Sequence, residues 1–202
     1  MEKDYKIIDN AVPELLFKKL QGFFASNEVG WFWSATSADN GEEPGDYDYS
    51  FANWVLSPQG QRHEPAFTLC YAAFYAMMSE HYENDLEILR VRAGMHTAHP
   101  KTKISPPHVD SHLPHMVALL YLTDSDGPTY LHNKRAILGE GAESVEDITL
   151  KDLDLKESVK VDCKENRLII FNGNQYHSST KQSTPARRMA LNYNFNEIVE
   201  LI

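Results

Sequence analysis

The sequence predicts a mainly β fold, a β sandwich or barrel with helical support. Short strand patterns fill the C-terminal two thirds of the chain, whereas the two helical patterns both lie before residue 86. A length of 202 residues is enough for one sizeable hydrophobic core and short for two ordinary domains. We therefore expect a single domain over residues 1–202.

The overall composition restricts the functions to consider. A formal net charge of -10 disfavours nucleic acid or an anionic membrane as a partner, because phosphate binding depends on clustered Lys and Arg. The two cysteines, Cys70 and Cys163, do not form a disulfide framework or a Cys-x-x-Cys pair. The acidic start of the chain lacks the apolar region of a signal peptide, and no window is apolar enough to span a membrane. These features predict a soluble cytoplasmic protein.

The N-terminal part contains a short strand pattern and two helical patterns. A strand is predicted over residues 5–8, and a helix over about residues 12–25, where Pro13 suits the first turn and apolar residues recur at helical spacing. The second helix is predicted over about residues 64–82. Apolar residues cover most of its circumference, which indicates a helix buried against a sheet.

Residues 30–57, between the two helices, combine aromatic side chains with turn-forming residues. This composition suits a long loop or short hairpins that line a pocket on the substrate side, because Trp and Tyr join apolar area to a polar edge. The alternative is that the aromatics fill an irregular edge of the core. Both interpretations remain open at this point.

The rest of the chain is dominated by strand patterns. They cover residues 86–92, 116–122, 129–131, 159–161, 167–171 and 188–195. The first places Arg90 and Arg92 on one face, and the last alternates with Arg188 on its polar face. A turn is predicted at residues 124–128, and the polar, acid-rich residues 133–157 are predicted to form a surface excursion.

The candidate chemistry begins with the triplet His108-Val109-Asp110. In an extended strand, side chains at positions i and i+2 share a face, so His108 and Asp110 would coordinate one metal ion together. The triplet alone is weak, since about 0.6 such triplets are expected by chance. His177, which follows another strand and its turn, fits as a third ligand. Two His and one carboxylate with open positions are typical of non-haem Fe(II) oxygenases, whereas a solvated loop histidine is the alternative for His177.

Arg188 adds a second requirement to this site. A guanidinium that points inward from a β segment is costly unless an anion pairs with it. A dicarboxylate would satisfy both sites, with one end on the metal and the other on the planar fork of Arg188. An ion pair with an acidic side chain of the protein is the alternative.

Several motifs in fixed order carry a resemblance to a known family. They are His108-x-Asp110, Tyr121-Leu122, Asp126-Gly127-x-Thr129, the strand at 167–171, His177 and Arg188-x-Ala190-Leu191. In this order, over about residues 86–195, the chain resembles the 2-oxoglutarate and Fe(II)-dependent dioxygenases of the prolyl-4-hydroxylase-like branch. The resemblance implies a double-stranded β-helix (jelly-roll, cupin-like) core at about 86–195. The N-terminal helices of residues 1–85 would then pack on its major sheet.

The resemblance also implies roles for individual residues. His108, Asp110 and His177 would bind iron, and Arg188 would hold the C5 carboxylate of 2-oxoglutarate, with the adjacent Arg187 as the other candidate. We favour Arg188 because its neighbours in the alternation belong to the apolar face. Two further residues, Tyr121 and Asn192, lie where relatives often contact the cosubstrate.

The implied reaction is a hydroxylation that consumes O2 and 2-oxoglutarate and releases succinate and CO2. The presence of Asp110 disfavours halogenation, because related halogenases lack this carboxylate. The substrate would be a protein or peptide residue, or a small molecule. The competing functions are a non-catalytic β-barrel binding or structural module and a cupin-type metal enzyme that does not use 2-oxoglutarate.

Overall fold

The structure is a computed structural model that describes residues 4–35, 49–137, 139 and 148–198. The described strands form two antiparallel sheets, a larger one in the order β1-β9-β6-β11-β4-β3-β2 and a smaller one in the order β5-β10-β7-β8. Their bounds are β1 Tyr5–Asp9, β2 Phe32–Ser34, β3 Ser50–Leu56, β4 Leu86–Thr97, β5 Lys103–Ile104, β6 Met116–Tyr121, β7 Ser125–Arg135, β8 Val159–Cys163, β9 Arg167–Asn172, β10 Gln175–Lys181 and β11 Arg187–Glu197.

The two sheets pack on each other through a small apolar cluster. Val117, Ile169 and Phe171 of the larger sheet contact Leu131 and Val161 of the smaller one within this cluster. The arrangement of two facing antiparallel sheets confirms the predicted mainly β, jelly-roll type of fold.

Two helices cover the outer face of the larger sheet, as predicted. They are α1, Glu14–Ala25, and α2, Ala66–Met78, and their buried side chains share one cluster with β4, β6, β9 and β11. Phe74 of α2, for example, lies against the rings of Tyr193 and Phe195, with ring centroids 5.3 and 5.4 Å apart. Within the described residues, neither helix is long and apolar enough to cross a membrane.

The alternation predicted for the last strand is confirmed. Met189, Leu191, Tyr193 and Phe195 of β11 belong to the helix-side cluster, whereas Ala190 belongs to the cluster between the sheets. The polar face of β11 therefore points into the space between the sheets, where β4 on one side and β6 on the other are its ladder partners.

Several boundaries differ from the sequence expectations. The turn predicted at 124–128 is instead part of β7, which has an irregular register between Ser125 and Thr129. Gly127 lies in this irregular stretch, and a Cβ there would be 2.4 Å from the carbonyl oxygen of Thr180 on β10, so only glycine permits this approach. The strand predicted at 86–92 continues to Thr97.

The aromatic segment and the polar excursion are described in part. In the segment 30–57, β2 and β3 form an antiparallel pair at the edge of the larger sheet, which agrees with hairpins more than with a long loop. Residues 36–48 of it lie outside the described residues. In the excursion 133–157, β7 runs to Arg135 and a short 3₁₀ helix spans Leu150–Asp152, whereas residues 138 and 140–147 lie outside the description.

Candidate active site

His108, Asp110 and His177 come together between the two sheets. One potential ligand atom from each residue lies within 4.8 Å of the others, and His177 Nε2 is 4.0 Å from Asp110 Oδ1. The expectation of a regular strand at the triplet was wrong, because only an isolated antiparallel bridge joins His108 to His177. This bridge has hydrogen bonds of 3.0 Å in both directions, and it fixes the two backbones side by side.

His177 lies in a strand, not in the loop that the sequence analysis considered for it. It belongs to β10, is opposite Leu131 of β7, and is only 5% exposed. The sequence pattern missed β10 because Gln175–Lys181 is mostly polar. These polar groups are buried because hydrogen bonds within the smaller sheet satisfy them. The ring of His132, for example, bonds to Ser178 Oγ at 3.0 Å.

Both imidazole rings of the triad are oriented by backbone carbonyls. The Nδ1 atom of His108 lies 3.2 Å from the carbonyl oxygen of Pro106, and Nδ1 of His177 lies 3.2 Å from that of Gln175. A carbonyl only accepts, so each Nδ1 carries the proton and each Nε2 keeps its lone pair. Burial lowers the pKa of His108 to about 4, with help from His177, and burial also lowers the pKa of His177. Both rings are therefore neutral near pH 7, the form that binds metals.

Asp110 is held as a carboxylate by three side chains. An Nη atom of Arg90 lies 2.6 Å from Oδ1, and the Nδ2 atoms of Asn192 and Asn194 donate to Oδ2 at 2.9 and 3.0 Å. Burial by itself would raise the pKa of Asp110, but the lowering effects together, led by the charge of Arg90 and including the hydrogen bond from Asn192, outweigh it and hold that pKa well below its usual range. No sequence motif assigns Arg90 or Asn194 to the site, although the inward alternation of β4 and β11 is the signal that locates them.

A cavity opens beside the triad and continues between the sheets. Its lining combines apolar residues of the larger sheet with polar ones from both sheets: Arg92, Gly94, His96, His108, Val117, Leu119, Thr129, Phe171, His177, Ser179, Arg188, Ala190 and Asn192. No carboxylate belongs to this lining in the described part of the chain. The cavity therefore offers positively charged and hydrogen-bonding groups to a ligand that enters it.

Arg188 lies in this cavity and is only 5% exposed. Its Nε donates to the carbonyl oxygen of Gly127 at 2.9 Å, and one Nη donates to Thr129 Oγ1 at 3.0 Å. Its guanidinium also lies over the ring of Tyr121, 5.2 Å from the centroid. The neighbouring Arg187 is exposed. Of the two arginines that the sequence left open, Arg188 is the one inside the cavity.

The two secondary candidates occupy different places. Tyr121 is fully buried beneath Arg188 and donates its hydroxyl to Thr129 Oγ1 at 2.7 Å, so it supports the groups that line the cavity. Asn192 lines the cavity itself and holds Asp110. Asn192 thus belongs to the triad, and Tyr121 belongs to the far end of the cavity, where Arg188 lies.

Three further histidines near the triad are buried. They are His96, His115 and His132, whereas His112 is exposed. His96 lines the cavity, and its Nδ1 has no hydrogen-bond partner among the described residues. Burial lowers the pKa of His96 well below its ordinary value, as do the charges of Arg188 and Lys181. A neutral ring therefore adjoins the arginine at the far end.

The donor set fits a divalent metal ion such as iron. Two neutral imidazoles and one carboxylate, placed within a few ångströms of each other, leave further coordination positions open towards the cavity. The hydrogen bonds to both Nδ1 atoms and to the carboxylate oxygens are of the kind that orient metal ligands.

Comparison with known proteins identifies the fold. Neither a family model nor a curated protein matches the sequence. Among solved structures, an oxidoreductase of the 2OG-Fe(II) oxygenase family from Burkholderia pseudomallei is 11% identical with a TM-score of 0.65, and the alignment covers 96% of this chain and 85% of that one. HygX from Streptomyces hygroscopicus, with nickel and 2-oxoglutarate bound, is 12% identical with a TM-score of 0.60, covering 96% and 83%.

A third similar structure is a prolyl hydroxylase from Trichoplax adhaerens in complex with a hypoxia-inducible factor peptide. It is 12% identical with a TM-score of 0.58, and the alignment covers 96% of this chain and 84% of that one. The chain therefore has the fold of 2-oxoglutarate and Fe(II)-dependent oxygenases, as the resemblance implied.

Proposed function

We propose that this protein is an Fe(II)- and 2-oxoglutarate-dependent dioxygenase that hydroxylates its substrate. The observation that carries the proposal is the pairing of two sites in one cavity. At one end the cavity is lined by His108 and His177, with Asp110 beside them as a third potential metal ligand, and at the other end it is lined by the buried Arg188. A dicarboxylate that chelates a metal through one end and meets an arginine fork with the other suits this pairing.

The metal would be held by Nε2 of His108, Nε2 of His177 and a carboxylate oxygen of Asp110. When bound with 2-oxoglutarate and O2, Fe(II) supplies the oxidative decarboxylation of the cosubstrate to succinate and CO2, coupled to oxidation of a substrate C–H bond. The similar structures that contain nickel with 2-oxoglutarate, or a hydroxylase with its peptide, support this assignment as analogy.

The chain's own residues position and shield these groups. Arg90, Asn192 and Asn194 keep Asp110 ionised and fixed, so little reorganisation is needed when a cation arrives. The far carboxylate of 2-oxoglutarate would lie against Arg188, whose plane Gly127 and Thr129 already fix. Apolar side chains of β6 and β9 line the wall between and limit the access of water.

The substrate is proposed by class only, as a protein or peptide residue or a small molecule. The buried thiols of Cys70 and Cys163 are unpaired, which is compatible with the reducing cytoplasm that we propose as the location.

The proposal is tested by anaerobic titration of the purified protein with Fe(II) and then 2-oxoglutarate. We expect a weak visible metal-to-ligand charge-transfer band that saturates at one equivalent of each. The His177→Ala variant is the control and should give no band at the same concentrations. If the wild-type protein binds iron and shows no band, it does not use 2-oxoglutarate, and a cupin-type enzyme becomes the better description. If the wild-type protein binds neither iron nor 2-oxoglutarate, the non-catalytic binding or structural module becomes the better description.

A further inference from the structure

Arg92 is the second arginine in the cavity, and its situation differs from that of its neighbour Arg90. Both lie on the inward face of β4, but Arg90 is paired with Asp110 at 2.6 Å. The side chain of Arg92 lines the cavity and has no hydrogen bond or ion pair with any residue that the structure describes. Its Nη1 lies 3.7 Å from where a Cβ would be on Gly94, so the guanidinium extends over that glycine.

A charged arginine without an internal partner is unfavourable in a largely buried position. Burial lowers the pKa of Arg92, Asp110 opposes that effect, and the charge of Arg90 adds to it. Asp110, the carboxylate beside the cavity, already binds Arg90. A cation that the protein neither exposes fully nor neutralises is a candidate for binding an anionic ligand.

The ladder register gives the position of Arg92 relative to the metal triad. On β11 its partner is Asn192, which binds Asp110, whereas the partner of Arg188 is His96, four residues further along β4. Arg92 therefore lies at the level of the triad, and Arg188 lies at the far end of the same cavity. On its other side, Arg92 is opposite Trp54 of β3, which is 42% exposed and whose ring centroid lies 5.4 Å from the guanidinium carbon of Arg90.

We propose that Arg92 binds a carboxylate beside the metal triad, so that the cavity takes one carboxylate at each end. This inference rests on the proposed function for the identity of the cosubstrate. The carboxylate comes either from the near end of 2-oxoglutarate or from the primary substrate, which would reach Arg92 past Trp54. Arginine suits the task because its planar fork pairs with both oxygens of a carboxylate.

The first experiment uses the full chain loaded with redox-inert Zn(II) and measures binding by calorimetry. The ligands are 2-oxoglutarate, 2-oxovalerate, which lacks the far carboxylate, and 4-oxopentanoate, which lacks the near one. We expect Arg92→Gln to weaken 2-oxoglutarate and 2-oxovalerate about tenfold to a hundredfold and to leave 4-oxopentanoate unchanged. The matched control is Arg187→Gln, which removes an exposed arginine of β11 outside the cavity and should change none of the three.

A second titration separates the two sources of the carboxylate. Acetate is added to the Zn(II) protein already saturated with 2-oxoglutarate. If the primary substrate supplies the carboxylate, wild type binds acetate, Arg92→Gln loses that binding about tenfold or more, and the affinity for 2-oxoglutarate is unaltered. If neither titration depends on Arg92, the proposal is overturned.

Thermal unfolding of the ligand-free protein distinguishes a binding role from a structural one. Removal of an unpaired cation should leave the midpoint of Arg92→Gln equal to or above that of wild type, because no internal partner is lost. A midpoint several degrees lower would show that Arg92 supports the fold, which overturns the proposal. If wild type binds no 2-oxoglutarate at all, the proposed function fails, and the acetate titration of the Zn(II) protein still decides the role of Arg92.

Discussion

Substitution of Arg188 by alanine tests the dicarboxylate hypothesis most directly. The change removes a 5% exposed guanidinium whose position is set by Gly127 and Thr129 at 2.9 and 3.0 Å. A ligand carboxylate that meets this group is desolvated on binding and would be left without its counter-charge in the variant. Loss of one partner of a buried, hydrogen-bonded charge pair costs about 2–5 kcal/mol. The dissociation constant for 2-oxoglutarate should therefore rise by roughly 30-fold to several thousand-fold.

The assay is calorimetric titration of the Zn(II)-loaded protein with 2-oxoglutarate, with Arg187→Ala as the matched control. Arg187 is the adjacent residue on the same strand and is exposed, so its loss should change the affinity by less than about twofold. Arg188→Lys keeps the charge and loses the fork, and it should fall between wild type and Arg188→Ala. Equal losses at the two arginines, or a larger loss at Arg187, would refute the assignment of inward and outward faces on β11.

Three further predictions concern the metal site, packing and pH. Asn194→Ala removes a donor to the aspartate of the triad and should weaken Co(II) binding about 10- to 100-fold by spectroscopic titration, and an unchanged affinity would contradict the orienting role. Gly173→Ala places a Cβ 2.3 Å from Nε2 of the buried His115 and should lower the free energy of unfolding, measured in urea, by about 1–3 kcal/mol. The control is Gly22→Ala, which adds a Cβ in open space on helix α1 and should raise the free energy of unfolding by about 0.5–1 kcal/mol. Burial lowers the pKa of His132 to about 4, so its neutral form stabilises the fold above the unfolded pKa of about 6.5, and this contribution is lost as the pH falls from 6.5 to 4. In urea unfolding measured at a series of pH values, His132→Gln should reduce the slope of the unfolding free energy against pH in this range by up to one proton.

The parts of the fold that the sequence predicts are those in which one face is apolar. β11 was predicted with its faces because Met189, Leu191 and Tyr193 alternate with polar residues, and burial of the apolar set against the helices leaves one register. β10 was not predicted because its side chains are mostly polar, and they are buried only because hydrogen bonds to other strands satisfy them. His132 on β7 is the partner of Ser178, 46 positions away, and no local pattern contains that pairing.

The two arginines of β4 show where local patterns stop being informative about a site. The period of two predicts that Arg90 and Arg92 share a face, but it does not distinguish a paired arginine from an unpaired one. That difference arises because the segment after His108 brings Asp110 to the side chains of Asn194 and Asn192, where Arg90 meets its Oδ1 and Arg92 does not. One carboxylate satisfies one arginine, so the second has no ion pair among the described residues. The charge of the site is thus set by a tertiary contact between β4, β11 and the His108 segment. This contact leaves two arginines and no carboxylate in the described lining of the cavity, within a protein whose net charge is -10.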